Sequence, residues 1–429
     1  MRIAIVGGGI SGLTVAHRLR ERHQVTLFEA ADYLGGHTNT VDVDYDGDRF
    51  AVDTGFIVFN DRNYPQFTAL LDELKIASRP TSMSFSVRAD AADIEYEGSS
   101  LSGLFAQRRN LVRPAFYRLL RDILRFNRVG RSDGADGAAD ETVGEFLTTH
   151  RFSREFVAYY LLPMGSAIWS CPTGTFANFP IRFILEFFRH HGLLDLTNRP
   201  QWRVVEGGSR TYVAVLARGF RDAVRLRTPI TAIRRSADGV EVVPRGGAAE
   251  MFDHVVLACH ADQALRMFVD PTPAEREVLA AFPYERNTAV LHTDTALLPK
   301  RRRAWAAWNY LLLDAQASAT TPSRATVTYC MNILQHLESR HTYCVSLNVD
   351  ERIDASKILG RFTYEHPIFT TSRAAAQARH GEISGVARTS FCGAYWGNGF
   401  HEDGVASAMR VVDRLQQTRM EPRVSAEVV

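Results

Sequence analysis

The sequence predicts an α/β fold: a Rossmann-type domain into which a second, α+β domain is inserted discontinuously. Three observations predict it. A strand, a glycine-rich loop, a helix, a second strand and an acidic residue follow one another within residues 2–29. A chain of 429 residues that is 45% hydrophobic and 23% charged has room for two or three domains, each with its own core. A second glycine-rich loop, Gly393 to Gly404, runs into a helical pattern through Val411, Val412 and Leu415.

Arg2 to Val6 is a short, β-branched apolar run and reads as a buried strand. It enters Gly7-Gly8-Gly9-Ile10-Ser11-Gly12, followed by the helical spacing Leu13, Ala16, Leu19. Gly7, Gly9 and Gly12 stand at G-x-G-x-x-G spacing. The first allows a tight turn, the second lets the backbone approach a pyrophosphate, and the third lets the helix pack on its strand. Backbone N–H groups at the helix start, at Ile10 and Ser11, then face the phosphates. The second strand, Gln24 to Phe28, ends at Glu29. An acid about 20 residues beyond the glycines can hold ribose hydroxyls.

Composition removes several function classes. A net charge of +2 makes no global case for nucleic acid, and only three of the 50 basic residues are lysines. Five scattered cysteines, odd in number and without C-x-x-C, argue against a disulfide framework or a zinc site and fit a reducing cytoplasm. A strand beginning at residue 2 leaves no room for a cleaved signal peptide. No run of about 18 apolar residues suggests a spanning helix. The expectation is a cytoplasmic protein, with peripheral contact at the inner face of the membrane left open.

After Glu29 come Asp32-Tyr33-Leu34-Gly35-Gly36-His37-Thr38, a double glycine giving a second close backbone approach. By these residues the chain resembles the flavin-containing amine oxidase superfamily, which includes monoamine oxidases, protoporphyrinogen oxidases and phytoene desaturases. The resemblance implies FAD, with Gly35, Gly36, His37 and Thr38 lying on its diphosphate. His37 stands where arginine is common. A hairpin, Val41 to Val52 turning at Asp46-Gly47, leads to Asp53-Thr54-Gly55-Phe56. In the resembled family a comparable stretch passes the flavin ring, which makes Gly55 and Phe56 candidate contacts; an ordinary strand-to-loop turn is the alternative.

Residues 64–128 read as mainly helical, with Phe67, Leu70, Leu71 and Leu74 on one face, and Gly130 to Asp140 as a polar loop. Residues 152–194 gather Tyr159, Tyr160, Trp169, Phe176, Phe179, Phe183, Phe187 and Phe188, interrupted at Pro163 and at Pro172. They are either a buried aromatic core or the wall of an apolar substrate tunnel. Trp305, Trp308 and Tyr310 either line the substrate side or pack. Glu206-Gly207-Gly208-Ser209 precedes a helix, Thr211 to Phe220, and short strands follow through Val243. The resemblance places backbone groups of Ile230 on the adenine. It also matches Val255 to His260, through Ala258, to a strand ending in Ala-x-Pro, with His260 replacing the proline. Residues 285–385 alternate like strands. The expected partition is an FAD-binding domain of 1–62, 200–285 and 386–420, a substrate domain of 63–199 and 286–385, and a flexible tail at 421–429.

In the family a C-terminal strand, glycine-rich loop and helix close over the flavin. Gly393, Trp396, Glu402, Asp403, Gly404 and Val405 occupy that signature here. The helix start would point its positive dipole end at the pyrimidine side of the ring. Paired terminal signatures favour FAD over NAD, and a single dinucleotide fingerprint suggests that the organic substrate reduces the flavin while oxygen or another acceptor reoxidises it. His401 and Glu402 are candidate acid–base groups because their loop should lie beside the ring; loop-ordering hydrogen bonds are the alternative. Lys300, in Pro299-Lys300-Arg301-Arg302-Arg303, reads as solvated and weakens an amine-oxidase reading. The whole chain looks most like bacterial amine-oxidase-like FAD proteins found beside cyclopropane-fatty-acid-synthase-like methyltransferases. That resemblance implies desaturation of a fatty-acyl or methyl-branched lipid chain. Oxidation of a small amine, and a flavin-bearing binding protein without turnover, are the alternatives.

Overall fold

The computed structural model describes residues 1–131, 141–195, 197, 199–313, 326–370 and 372–417. Most of the polar loop read at 130–140 and the tail read at 421–429 lie outside the described residues.

The first domain is built on a five-stranded parallel sheet. Its centre is β1 (Arg2–Val6), flanked by β2 (Gln24–Phe28) on one side and by His254–Leu257 on the other. Val224–Arg225 extends it beyond β2, and Thr389–Phe391 beyond His254–Leu257. Ile3, Ala4 and Ile5 are fully buried, which explains an uninterrupted apolar run: helices or a second sheet cover both faces. On one face α1 (Ile10–Leu19) packs with the helices Arg210–Ala217 and His401–Gln417. On the other lie the three-stranded sheet Ile230–Arg235, Val240–Pro244, Glu250–Phe252 and the helices Ala261–Met267 and Pro273–Ala280.

The second domain is a seven-stranded sheet in the order Ile358–Pro367, Tyr284–His292, Cys344–Leu347, Val327–Cys330, Trp308–Leu312, Phe85–Ala89, Ile94–Glu97. All its neighbours are antiparallel except Trp308–Leu312 with Phe85–Ala89. The aromatic helices, Pro114–Arg131 and Ile181–His190 among them, pack into the same core as this sheet. The domains meet at the hairpin of β3 (Thr40–Tyr45) and β4 (Asp48–Asp53). Its two-residue turn has Asp46 at φ 49° and Gly47 at φ 86°, the pairing that suits strand twist.

Two segments differ from the expected partition. The helix α2 (Pro65–Glu73) sends Phe67, Leu70 and Leu71 into the core of the first domain, although 63–199 was assigned to the second. Likewise Ala376 and Ile383, from the helices Arg373–Ala378 and His380–Ile383, join Phe391 and Tyr395 in the core of the first domain. The 3.6-residue periodicity shows that a helix has an apolar stripe; it carries no information on which core receives it. Among the described residues no helix is long and apolar enough to cross a membrane.

Candidate functional site

Strand ends and two helix starts converge at the carboxyl edge of the parallel sheet, where α/β folds of this kind place ligands. Gly7 has φ +109°, and a Cβ there would sit 2.7 Å from the Ala258 carbonyl oxygen. A Cβ at Gly12 would lie 1.9 Å from the oxygen of Gly7. At Gly9, by contrast, the nearest atom would be the Gly35 oxygen at 4.0 Å, so the backbone faces open space. Gly35 donates its N–H to the Gly8 carbonyl at 2.8 Å and bridges Gly9, which fixes Gly35-Gly36 as the second wall of this cradle. No side chain caps the start of α1. Its first N–H groups, at Ile10 and Ser11, keep their positive dipole end toward the cradle.

Glu29 sits at one end of the cradle. Its Oε2 accepts from Gly8 N–H at 2.6 Å and its Oε1 from Ala31 N–H at 2.8 Å, so the carboxylate is held rigid with further lone pairs to offer. The carbonyl of Glu29 accepts from Thr228 N–H at 2.8 Å, which brings the start of the Ile230 strand alongside.

At the other end the C-terminal helix crosses α1. Ser11 Oγ donates to the Gly404 carbonyl at 3.0 Å, and a Cβ at Gly404 would touch Ile10 Cγ2 at 2.8 Å. Val405 is buried beneath this crossing. Ser407 Oγ holds Gly393 N–H at 2.9 Å, and Trp396 packs on Phe282. Two helix starts therefore face one space. Thr54, Gly55 and Phe56 close its middle: Phe56 donates its N–H to the His37 carbonyl at 2.8 Å, and a Cβ at Gly55 would lie 2.2 Å from that oxygen.

The candidate acid–base groups meet a different geometry from the one their sequence position suggests. His401 is buried, stacks on Phe56 with ring centroids 3.5 Å apart, and sets Nε2 2.9 Å from both Thr38 Oγ1 and Tyr212 OH. Burial pushes its pKa down to about 3, so it is neutral at pH 7. Glu402 Oε1 and Oε2 accept from Gln66 and Phe67 N–H at 3.1 and 2.9 Å, capping α2. Asp403 Oδ2 accepts from Phe400 N–H at 2.9 Å. Burial raises the pKa of both carboxyls. This geometry is that of loop-ordering residues.

Sequence reasoning missed a histidine cluster. The His37 ring lies 5.1 Å from His366, 5.1 Å from Tyr364 and 6.4 Å from His260, which stacks on Tyr284. Only the replacements at His37 and His260 hinted at it; His366 arrives on a strand more than 300 residues away from His37. His37 Nε2 is buried with no partner among the described residues, beside the Gly35-Gly36 wall. A two-walled glycine cradle, the uncapped start of α1, a rigid carboxylate and this orphaned nitrogen fit FAD.

Burial, then the nearby His366, His260 and His401, holds His37 well below the usual imidazole range. A diphosphate beside it would raise that pKa, so binding takes up a proton and tightens as pH falls. His37→Ala is expected to raise the FAD dissociation constant about tenfold, or 1.4 kcal/mol, and to flatten its pH dependence on the acid side of pH 6.5. Flavin fluorescence titration measures both; an unchanged constant and slope would exclude His37 from the phosphate site.

The aromatic side chains of 152–194 are largely buried in the core of the second domain. Phe400, immediately before His401, stacks on Phe187 at 5.3 Å. Phe187 and Phe183 in turn contact Trp169 at 4.7 and 5.3 Å. Trp308 packs edge-on to Tyr329, and Tyr310 is buried in the same core. Trp305 belongs elsewhere: it donates to the Pro299 carbonyl at 2.7 Å on the exposed flank where Lys300 pairs with Asp90 at 2.8 Å. Among the described residues no group of three or more metal-ligating side chains forms a metal site.

The flavin containing amine oxidoreductase family matches residues 10–347. A curated relative, coproporphyrinogen III oxidase of Mycobacterium leprae, is 27% identical over 302 residues, 65% of this chain. The match spans 63% of that relative's length. Among solved structures, a CLA-producing fatty acid isomerase from P. acnes superimposes with a TM-score of 0.68 at 15% identity, covering 98% of this chain and 99% of the other. Cyclohexylamine oxidase from Brevibacterium oxydans IH-35A gives a TM-score of 0.67 at 15% identity over 97% and 99%. At these identities the structural likeness speaks for the fold.

Proposed function

The chain belongs to the flavin-containing amine oxidoreductase family, and from that premise we propose that it is an FAD-dependent oxidoreductase acting at the membrane periphery on an apolar substrate, specifically a fatty-acyl or methyl-branched lipid chain that it desaturates. The observation that supports this reading is the stack of Phe400 on Phe187, which continues the cofactor loop directly into the aromatic wall. FAD, when bound, supplies a two-electron acceptor for a substrate C–H bond.

The protein's own residues do the rest. The glycine cradle and the start of α1 would hold the diphosphate, the start of the C-terminal helix would face the ring, and Glu29 would orient the adenosine end. Phe400, Phe187, Phe183 and Trp169 align an alkyl chain and exclude water from it. His401, neutral and shared between two hydroxyls, and Glu402, capping α2, keep the loop beneath the ring in place. No general base is assigned. Oxygen is the proposed acceptor, given the single dinucleotide fingerprint.

A second reading, a porphyrinogen-like macrocycle, is supported by the name of the Mycobacterium leprae relative. An amine substrate is disfavoured by Lys300, which is ion-paired on the surface. The anaerobic visible spectrum separates them. Methyl-branched phospholipid is expected to bleach the flavin band near ~450 nm, while amines leave it unchanged. Bleaching by a porphyrinogen alone would favour the second reading, and bleaching by amines alone would overturn both.

A further inference from the structure

We infer that the outer face of the second domain formed by residues 101–124 and 301–303 is the surface by which this protein docks on an anionic lipid bilayer. The inference deepens the peripheral membrane contact proposed above and rests on it. Among the described residues, five of the eleven exposed large hydrophobic side chains fall in this short stretch: Leu101, Leu111, Val112, Tyr117 and Leu124. Leu101 is 76% and Val112 79% exposed, too far out to be packing defects of the core. Contiguous apolar exposure of this kind marks an interaction site.

The residues are adjacent in space. Leu111, Val112, Pro114 and Tyr117 line one groove with Arg118 and Arg121. Arg108 and Arg109, on the same short turn as Leu111 and Val112, line a second with Arg301, Arg302 and Arg303. The helix Leu101–Leu104 packs against the turn Arg302–Ala304, beside the second groove. On the helix Pro114–Arg131, Tyr117, Arg121 and Leu124 follow at i, i+4 and i+7 and form one outward stripe.

Charge complementarity selects the occupant. The chain as a whole carries only +2. This face nevertheless gathers Arg108, Arg109, Arg113, Arg118, Arg121 and the three consecutive arginines 301–303, and the carboxylates that reach them are Asp93, Glu95, Asp122 and Glu155. Among the described residues no carboxylate pairs with Arg108, Arg302 or Arg303. Leucine and valine tips without a polar handle, ringed by guanidinium groups, suit insertion of the tips below anionic headgroups that the arginines pair. An acidic protein or a nucleic acid would use the charge and leave Val112 and Leu101 in water. The inner side of the same long helix buries Phe116, Leu119 and Phe126 in the aromatic core, so the docked face lies one helix away from the aromatic wall.

The test is sedimentation of the full-length protein, loaded with FAD, with vesicles of phosphatidylcholine alone and of phosphatidylcholine containing phosphatidylglycerol. Binding is expected only to the anionic vesicles, and less at high salt. Each lost arginine is expected to weaken binding about fivefold, so the variant R108Q/R302Q/R303Q loses on the order of a hundredfold. Val112→Asp, which sets a carboxylate where the bilayer interior would receive the valine, is expected to weaken binding as well, and Arg49→Glu, at an 85% exposed position elsewhere, is expected to leave it unchanged. Circular dichroism and flavin content report that each variant is folded. Absence of binding to anionic vesicles would overturn peripheral contact and this surface together. Binding that survives both the triple variant and Val112→Asp would overturn the surface alone, and retention on an anionic polymer but not on vesicles would overturn the lipid assignment.

Discussion

A Gly12→Ala variant is expected to purify without flavin and with a lowered melting temperature. The added methyl carbon would lie 1.9 Å from the Gly7 oxygen, 3.1 Å from its carbonyl carbon and 3.2 Å from Ala258 Cβ. None of these atoms can retreat cheaply. Gly7 donates its N–H to Phe28 at 2.8 Å and Ala258 donates its own to Val6 at 2.8 Å, so the turn is tied to the sheet on both sides. Helix α1 must therefore lift off β1, at an overpacking cost of about 3 kcal/mol, and its N–H groups leave the phosphate position. The companion Gly9→Ala separates the two consequences. Its methyl group points into open space, with the Gly35 oxygen 4.0 Å away. Stability should stay unchanged while flavin retention falls, because the methyl group occupies the room a diphosphate needs. Thermal melting together with the ratio of flavin to protein absorbance measures both variants. A Gly12→Ala protein that keeps its flavin and its melting temperature would refute the phosphate cradle.

Asp53→Ala is expected to destabilise the protein by about 2–4 kcal/mol at pH 8, and by more at pH 5. Asp53 is fully buried where the two domains meet. Its Oδ1 accepts from Thr40 Oγ1 at 2.6 Å, Ser209 N–H at 2.9 Å and Ser209 Oγ at 2.7 Å, and its Oδ2 from Gln335 Nε2 at 3.1 Å. Its own N–H donates to Gln335 Oε1 at 2.9 Å. Truncation leaves the Ser209 N–H and the Gln335 amide buried without an acceptor, and it unties a helix of the first domain from a helix end of the second. The pH dependence follows from burial, which outweighs these donors and pushes the carboxyl up to about 6. Between the unfolded value, near 3.8, and 6 the folded state holds the proton more tightly. The wild type therefore loses stability as pH rises through that window, a loss complete above about pH 7. The alanine variant lacks this dependence, so the gap between the two proteins is widest on the acid side. Urea unfolding at pH 5 and pH 8 checks the sign; a gap that widens with rising pH would contradict it. Asn is a poor rescue at this position, since all four partners donate and an amide nitrogen would face another donor.

These two sites show how differently the chain discloses itself. Gly12 was readable because its role is local. A tight turn, a helix start and a strand lie within a dozen residues, and only glycine satisfies their contact. The Asp46-Gly47 hairpin, the apolar face of α2 and the loop that enters the C-terminal helix were readable for the same reason. In the sequence Asp53 is only the first residue of a turn expected near the ring. Its acceptors' partners come from residues 40, 209 and 335, and nothing in the spacing of those residues says that they meet.

Glu402 is the sharpest case. Next to a histidine in a loop that should border the ring, it had the chemistry of an acid–base group. Both of its oxygens are instead committed to the first turn of α2, more than 330 residues earlier. The parallel-sheet unit, the dinucleotide fingerprint, the two glycine-rich loops and the aromatic concentration are legible along the chain, because each depends on neighbouring residues and on hydrophobic period. Long-range packing settles which core receives α2 and the helices of 373–383, that His37, His260 and His366 share one space, that Phe400 stacks on Phe187, and that the apolar and arginine side chains of 101–124 and 301–303 lie side by side. Those depend on burial and on long-range packing, which a side chain's identity and spacing do not encode one residue at a time.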